Sequence, residues 1–169
     1  MKIIFVDGYN VINSWQDLKL LMEVSMEASR EKLVDIMQNY SGFTGNRVII
    51  VYDGHLISGN NGSREERSNV SVIFTKTSET ADNYIEKAVN KIGRKVNVAV
   101  VTSDNLEQQV VFQRGAARIS AYEFYIEVKN SEDKIRKKEE KRYSQKRNQL
   151  GDAIEKSILE ELEKIRRSH

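Results

Sequence analysis

The chain has 169 residues, a formal net charge of +2, and neither cysteine nor proline. The absence of cysteine excludes disulfides, zinc fingers with thiolate ligands and cysteine nucleophiles, while the length suffices for one domain with a substantial core. No apolar run approaches the ~20 residues of a membrane span, and the sequence enters a strand without a basic-then-apolar leader. We therefore expect a soluble cytoplasmic protein with no membrane partner.

Five short runs of strand-forming residues alternate with helical patterns along the chain. The runs are KIIFV (2–6), RVIIVY (47–52), VSVIF (70–74), VNVAVV (96–101) and a weaker ARISA (117–121). The first, second and fourth are nearly continuous apolar runs, which is typical of parallel strands covered on both faces. Strands that alternate with helices favour right-handed crossovers and a three-layer α/β domain.

The helical patterns between these runs are defined by apolar residues at three- and four-residue steps. They predict a helix within residues 18–37 and another over 81–92, with Gly93 as its C-cap. A shorter helix is predicted over 104–114. Residues 58–69, rich in glycine and asparagine, are predicted to form a mobile loop.

The C-terminal part of the chain differs in charge from the rest. Residues 1–128 have slightly more acidic than basic side chains, whereas 129–148 carry nine basic and four acidic ones. The sequence reads as helix from about Tyr122, with a break expected at Gly151. We predict an α/β domain over 1–128 and a basic, then amphipathic, helical extension over 129–169, packed on the domain or projecting from it. Such concentrated positive charge favours a partner rich in phosphate.

Acidic residues follow three of the predicted strands and begin one helix. Asp7, Asp53 and Asp104 follow the first, second and fourth strands, and Asp82 lies in the first turn of the helix over 81–92. Because ligands of open α/β sheets bind at the carboxyl ends of the strands, these side chains are expected to converge. Like charges held close together repel, and Mg²⁺ or Mn²⁺ would offset that repulsion and supply an acidified water. Asn10 could orient a ligand or the attacking water without adding charge.

Each of these acids also has a structural explanation. Asp7 and Asp53 precede glycine in ordinary turn dipeptides, and Asp82 at a helix start is favourable to the helix dipole. Asp104 could be an N-cap, with Glu107 completing a capping box. From the residues alone, the metal site and the structural roles both stay open.

Basic residues form a stripe on one face of the charged helix. Its five members are Lys134, Lys137, Lys138, Lys141 and Arg142. Such a stripe can bind a phosphate backbone through counterion release, or it can be the solvated face of a helix whose lysines pair with Glu139 and Glu140. Arg64 and Arg67, in the predicted loop, could close over a substrate strand or be merely solvated.

Three aromatic residues and one histidine lie near the predicted edge. Tyr9, Trp15 and Tyr52 could stack on a base, although a core role is more typical of Trp15 because its neighbours are the apolar residues of the first helix. His55, two residues after Asp53, could assist proton transfer, which a metal-bound water does not require.

Four motifs in order carry a family resemblance. FVDGYNVI, VYDGH, SETADNYIE and VVTSD resemble the NYN domain, a branch of the PIN-like nucleases, and more closely the YacP group of ribosome-associated endoribonucleases. The resemblance covers residues 1 to about 125, and the basic tail also fits that group. It implies that the domain over 1–128 is a nuclease domain with a three-layer PIN-like fold. The implied sheet has five parallel strands, in the order 3-2-1-4-5, flanked by helices.

The resemblance also implies roles for individual residues. Asp7, Asn10, Asp82 and Asp104 match the catalytic set of the family, and the three acids among them match its metal ligands. Asp53 matches the acid after the second strand as a further metal ligand. The implied activity is Mg²⁺- or Mn²⁺-dependent endonucleolytic cleavage of single-stranded RNA, with messenger RNA on the ribosome as substrate.

Two other classes of protein are alternatives to this activity. The first is a non-catalytic RNA- or ribosome-binding module, which would not need a set of acids beside phosphate. The second is a nucleotide- or phosphate-handling fold of another kind. Tyr9 stands where an aspartyl-phosphate phosphatase has a second acid, and no G-x-G-x-x-G or Walker motif follows the first strand. The sequence therefore predicts no nucleotide cofactor.

Overall fold

The computed structural model describes residues 1–54, 62–93, 96–103 and 116–167, which contain six strands and five helices. The strands are β1 (Ile3–Asp7), β2 (Arg47–Tyr52), β3 (Ser63–Arg67), β4 (Val70–Phe74), β5 (Val98–Val101) and β6 (Ala117–Ile119). The helices are α1 (Gly8–Ser14), α2 (Gln16–Val24), α3 (Met26–Thr44), α4 (Ala81–Ile92) and α5 (Ala121–Arg167). None of the helices in these ranges is long and apolar enough to cross a membrane.

The strands form one sheet in the order β3-β4-β2-β1-β5-β6. All neighbouring strands are parallel except β3 and β4, which pair antiparallel. The five parallel strands have the order that the family resemblance implied, with β1 at the centre between β2 and β5. The predicted α/β fold class is therefore confirmed.

Side chains of the central strands alternate between two cores. Ile4 and Val6 of β1 pack towards α1, α2, α3 and the first turns of α5, whereas Phe5 packs towards α4 with Ile85 and Val89. These five side chains are at most 4% exposed. Both faces of β1 are covered, which is why its sequence is a continuous apolar run, and the domain has the expected three layers.

The sheet has a sixth strand where the sequence predicted part of a mobile loop. Residues 63–67, within the segment 58–69, form β3, which pairs from Ser63 opposite Phe74 to Arg67 opposite Val70. A two-residue turn joins β3 to β4, and Ser68 adopts a positive φ of 56° there. The prediction was wrong for these residues because an edge strand with polar side chains on both faces has no apolar alternation to reveal it. Residues 58–61 lie outside the described residues.

The helices also depart from the predicted pattern at three places. The region 18–37 belongs to two helices, α2 and α3, and a further helix, α1, begins directly after Asp7 where a turn was expected. The predicted break at Gly151 is wrong, because α5 continues through it to Arg167. One glycine costs a helix only about 1 kcal/mol, which neighbouring helix-forming residues can offset. The helix predicted over 104–114 lies outside the described residues.

The chain divides into two compact units, Met1–Ser131 and Glu132–His169. The first contains the sheet and the first turns of α5, and the second contains the rest of that helix. The functional boundary predicted at residue 128 stays a prediction.

Glycine at position 8 is required by packing against β2. A Cβ built on Gly8 would lie 2.3 Å from a ring carbon of Tyr52, and that ring is completely buried. The Asp-Gly pair at residues 7 and 8 is therefore a strand–helix junction pressed against a tyrosine ring.

We predict that Gly8→Ala destabilises the protein by about 1–3 kcal/mol, because the enclosed Tyr52 ring must shift. Gly42→Ala is the matched control. Gly42 is exposed within α3, and no described atom outside its own stretch of helix lies within 4 Å of a Cβ built there. The change should stabilise by about 0.5–1 kcal/mol. Urea unfolding measures both free energies. A Gly8→Ala protein as stable as wild type would show that the ring yields easily.

Candidate active site

Asp7 ends the central strand and begins the first helix. Its carboxylate oxygen Oδ1 accepts a hydrogen bond from the backbone N–H of Asn10, 3.1 Å away, and so caps α1. Asp7 therefore has a structural role, but as a helix cap and not in the turn dipeptide that the sequence suggested. The cap also fixes the position of this half-buried carboxylate at the carboxyl edge of the sheet.

Asn10 connects this helix to the end of β5. Its side-chain oxygen accepts a hydrogen bond of 3.0 Å from the backbone N–H of Ser103, 93 positions away in sequence. The Oγ of Ser103 in turn accepts from the backbone N–H of Ala121, at 3.4 Å. This bond uses one lone pair of the Asn10 oxygen, and the amide NH₂ of Asn10 can donate to a ligand. Asp104, the residue after Ser103, lies outside the described residues, so its expected convergence with the other acids stays a prediction.

Asp53 follows β2 and is held in place by a network centred on Thr75. The backbone N–H of Gly54 donates to Thr75 Oγ1 at 2.9 Å, and the Thr75 hydroxyl donates to the carbonyl oxygen of Glu79 at 2.5 Å. The backbone N–H of Thr75 also donates to the carbonyl oxygen of Tyr52, at 3.0 Å. One threonine thus joins the segment that carries Asp53 to the segment that leads into α4.

Asp82 lies in the first turn of α4. Thr80 caps that helix by accepting a hydrogen bond of 3.3 Å from the backbone N–H of Asn83. The side chain of Asp82 is exposed, and a carboxylate at this position is favourable to the helix dipole.

These elements enclose one cleft of about 470 Å³ at the carboxyl edge of the sheet. Its lining residues are Asp7, Tyr9, Asn10, Asn13, Asp53, Thr80, Ala81 and Asp82. Three of the four predicted acids, from three separate segments, therefore share a single cleft with Asn10. Their catalytic and metal-binding roles stay predictions.

The donor groups of the cleft suit a hydrated divalent cation. Within the described residues, no three His, Cys, Asp or Glu side chains are grouped closely enough to hold a metal by themselves. Mg²⁺ does not require such a group, because it usually keeps several waters and binds through one or two carboxylates together with substrate phosphate. The carboxylates and the carboxamide in the cleft offer only oxygen ligands. They fit Mg²⁺ or Mn²⁺ in kind.

Tyr9 is the aromatic residue that lines the cleft. Its hydroxyl accepts a hydrogen bond from Arg30 at 3.1 Å, and its ring centroid lies 5.0 Å from that of Tyr52. Tyr52 is completely buried and stacks on Phe74 at 5.2 Å. Burial raises the pKa of the Tyr52 phenol, and its hydroxyl has no hydrogen-bond partner among the described residues. Tyr52 is therefore a packing residue, and Tyr9 is the ring that remains available to a base.

Trp15 belongs to the core, as its apolar sequence neighbours predicted. Its indole N–H donates to the carbonyl oxygen of Ala121 at 2.8 Å, and the side chain is 4% exposed. His55 lies outside the described residues.

The two arginines predicted to contact RNA, Arg64 and Arg67, each form ion pairs with glutamates of the chain. Arg67 bonds Glu31 of α3 at 2.6 Å and Glu65 at 3.1 Å, so it joins β3 to the helical layer on that side. Its guanidinium lowers the pKa of Glu31 through this hydrogen bond. Arg64 pairs with Glu66 at 2.5 Å. Because residues 64 and 67 are three apart along the strand, their side chains project to opposite faces of the sheet.

The cations of the basic stripe are all exposed on α5, within the unit Glu132–His169. The stripe comprises Lys134, Lys137, Lys138, Lys141 and Arg142. No ion pair joins any of them to another described side chain, so the predicted alternative of pairing with Glu139 and Glu140 is not seen. The arrangement leaves these cations accessible to an anionic partner.

Three residues of the site were missed by the sequence interpretation. Asn13 and Thr80 line the cleft, and Thr75 connects two of its segments. Asn13 stands three residues after Asn10 and therefore on the same face of α1. This spacing is informative only if residues 8–14 are known to be helical, and the sequence analysis expected a turn there. Thr80, two residues before Asp82, has an N-cap signature.

Comparison with known proteins agrees with this geometry. Residues 4–167 match the family described as the YacP-like NYN domain. The chain is 43% identical over 171 residues to the Bacillus subtilis protein YacP, covering 99% of this chain and 98% of the relative. The crystal structure of Rae1 (YacP) from Bacillus subtilis is similar with a TM-score of 0.76 at 40% identity, over 99% of this chain and 95% of that one. A tryptophan-to-leucine variant of that protein gives a TM-score of 0.71 at 41% identity, over 81% and 80%.

The sheet order and the acid-lined cleft define a nuclease-like α/β fold. With the match along nearly its whole length, the chain belongs to the YacP-like NYN domain family, and the predicted resemblance is confirmed.

We predict that Thr75→Val destabilises the protein by about 1–3 kcal/mol, because it removes the hydroxyl that joins Gly54 to Glu79 and leaves both backbone groups without that partner. Thr75→Ser retains the hydroxyl and should cost less than Thr75→Val. Urea unfolding of the two variants measures the difference. Equal destabilisation in both would attribute the effect to the methyl group rather than to the hydrogen bonds.

Proposed function

We propose that this protein is a metal-dependent endoribonuclease that cleaves single-stranded RNA, with messenger RNA on the ribosome as its substrate in the cytoplasm. The observation that carries the proposal is the convergence of Asp7, Asp53 and Asp82 on one cleft. Membership of a family with a nuclease-like fold supports it. Carboxylates brought together in this way repel each other, which is unfavourable unless a cation binds between them.

The chain's own groups have separate tasks in this proposal. Asp7, Asp82 and Asp53 would hold a hydrated Mg²⁺ or Mn²⁺, together with Asp104, which lies outside the described residues. When bound, the cation supplies Lewis acidity and lowers the pKa of a coordinated water. The Asn10 amide NH₂ donates to an oxygen of the substrate or of the attacking water. Tyr9, fixed by its hydrogen bond from Arg30, offers a ring on which an unpaired base can stack.

The basic stripe supplies affinity for RNA in the same proposal. Exposed cations at helical spacing follow a phosphate backbone without reading its sequence. They would serve equally for ribosomal or messenger RNA. The stripe thus supports association with the ribosome, while the cleft supplies the chemistry.

We expect the purified protein to cut single-stranded RNA, or messenger RNA on translating ribosomes, and to leave 3′-hydroxyl and 5′-phosphate ends. EDTA should abolish cleavage, and Mg²⁺ or Mn²⁺ should restore it. Asp7→Asn should lower the cleavage rate at least about 100-fold by removing a metal ligand. It should leave the fold intact, because asparagine caps helices as well as aspartate does. Mapping the cut ends and timing their appearance test these statements.

The matched control is Asp17→Asn, the same change in the first turn of α2, at an exposed carboxylate outside the cleft. Its activity should equal that of wild type. Ends that carry 2′,3′-cyclic phosphate would contradict metal-assisted attack by water. A protein that binds RNA but never cuts it, even on translating ribosomes, would favour the non-catalytic binding module instead.

For the stripe, we predict that the double variant Lys137→Gln/Lys141→Gln weakens RNA binding and ribosome co-sedimentation. The slope of log affinity against log salt should fall by about 0.7 for each phosphate that the variant no longer neutralises. Lys19→Gln/Lys32→Gln removes two exposed lysines from α2 and α3 and is the control. Equal salt slopes for the two double variants would exclude a specific role for the stripe.

A further inference from the structure

A second pocket, of about 260 Å³, lies beside the acid-lined cleft. Its wall is formed by the end of β4, by β3 and by α4, and includes Arg64, Phe74, Lys76, Glu79 and Tyr84. Glu79 lines this pocket and the next residue, Thr80, lines the cleft, so the two cavities share that stretch of chain as a wall. The two cavities are therefore adjacent at this stretch of chain.

The charge balance of the pocket favours an anion. Arg64 pairs with Glu66 at 2.5 Å, and Glu79 is neutralised by Lys87 at 2.7 Å. Lys76 is exposed and forms no ion pair with another described side chain. Among the described residues that line the pocket, Lys76 thus presents an ammonium group without an ion pair, which suits a phosphate.

The same pocket offers one aromatic ring to a base. The ring of Phe74 is already engaged, since it stacks on Tyr52 and Arg30 lies 5.6 Å above its centroid. Tyr84 is only half-buried on α4 and makes no aromatic ring contact with the described residues. A tyrosine can stack on any of the four bases, because every base has a π face. The pocket volume leaves room for a single base.

We propose that this pocket binds one nucleotide of the RNA strand whose cleaved phosphodiester lies in the neighbouring cleft, with its base on Tyr84 and its phosphate at Lys76. The proposal rests on the proposed function for the identity of the ligand as RNA. It adds a subsite that holds the strand on the α4 face of the sheet. The subsite contributes affinity and register but takes no part in the chemical step.

Photocrosslinking tests the base contact directly. Oligoribonucleotides that carry a single 5-iodouridine at successive positions are irradiated with wild-type protein in EDTA and with the Asp7→Asn variant in Mg²⁺, so that neither cuts them. We expect a crosslink to Tyr84, located by peptide mass spectrometry, from one position or two adjacent positions of the strand. A complete absence of crosslinks to Tyr84 would overturn the proposal.

Variants separate stacking from packing at the same residue. Tyr84→Leu keeps an apolar side chain at this position of α4 but removes the ring. It should raise the Kd for a single-stranded oligonucleotide on the order of tenfold. In cleavage assays it should raise KM with kcat unchanged. Tyr84→Phe retains the ring and should bind as wild type does. Equal affinity of Tyr84→Leu and wild type would overturn the stacking role.

Salt dependence tests the phosphate contact. Lys76→Gln should reduce the salt slope of RNA binding by about 0.7, whereas Lys91→Gln, an exposed lysine in the last turn of α4, should leave it unchanged. Uridine monophosphate serves as the competitor. If it displaced the oligonucleotide as strongly as a second oligonucleotide does, the pocket would be a site for a free nucleotide, and the proposal would be overturned.

The outcomes distinguish this subsite from the proposed activity. Binding and crosslinking do not require cleavage, so a protein that crosslinks through Tyr84 but never cuts RNA would support the subsite and contradict the nuclease. A protein that cuts RNA without any crosslink to Tyr84 would contradict the subsite alone.

Discussion

The parallel pairing of β1 with β2 is the constraint on which the site depends. In this register Asp7 lies opposite Val51, two residues before Asp53, so both acids leave the sheet at the same edge. Antiparallel pairing of the same two strands would place those acids at opposite edges. The helix α4 then adds Asp82 at that edge. Three carboxylates line one cleft because the strands that precede two of them run in one direction and the helix with the third begins at the same edge.

Structural and functional explanations of the acids turn out to be compatible. Asp7 caps α1 and lines the cleft at the same time, and Asp82 occupies a favourable position at the start of α4 while lining it too. Local interactions of this kind stabilise carboxylates that would otherwise repel each other. The loop of Asp53 is held instead through the backbone of Gly54 and the hydroxyl of Thr75. The fold thus contributes to holding the charges in place before any ligand binds.

Three of the five parallel strands could be predicted from continuous apolar runs, because burial on both faces produces such runs. Three acids that line the cleft could be predicted from their positions after such a run or in the first turn of a helix. The sequence did not allow β3 to be predicted, since Ser63–Arg67 has no apolar residue and lies at the sheet edge. The bond from Ser103 to Asn10 joins residues 93 positions apart, and the bond from Gly54 to Thr75 joins residues 21 apart. Such contacts depend on the folded register, and no local pattern encodes them.

In the nuclease proposal, the residues that attract RNA differ from the residues that cleave it. A cleft lined by three carboxylates repels a phosphodiester. The cleft therefore contributes no favourable binding free energy for RNA until a cation has reduced that charge. The attraction must come from elsewhere on the chain: Lys76 in the adjacent pocket and the cations of the basic stripe are suited to it, because none of them forms an ion pair with a described side chain. Affinity for RNA and affinity for metal then reside in different residues. The metal ion should consequently govern whether bound RNA enters the cleft, while the cations govern whether RNA binds at all.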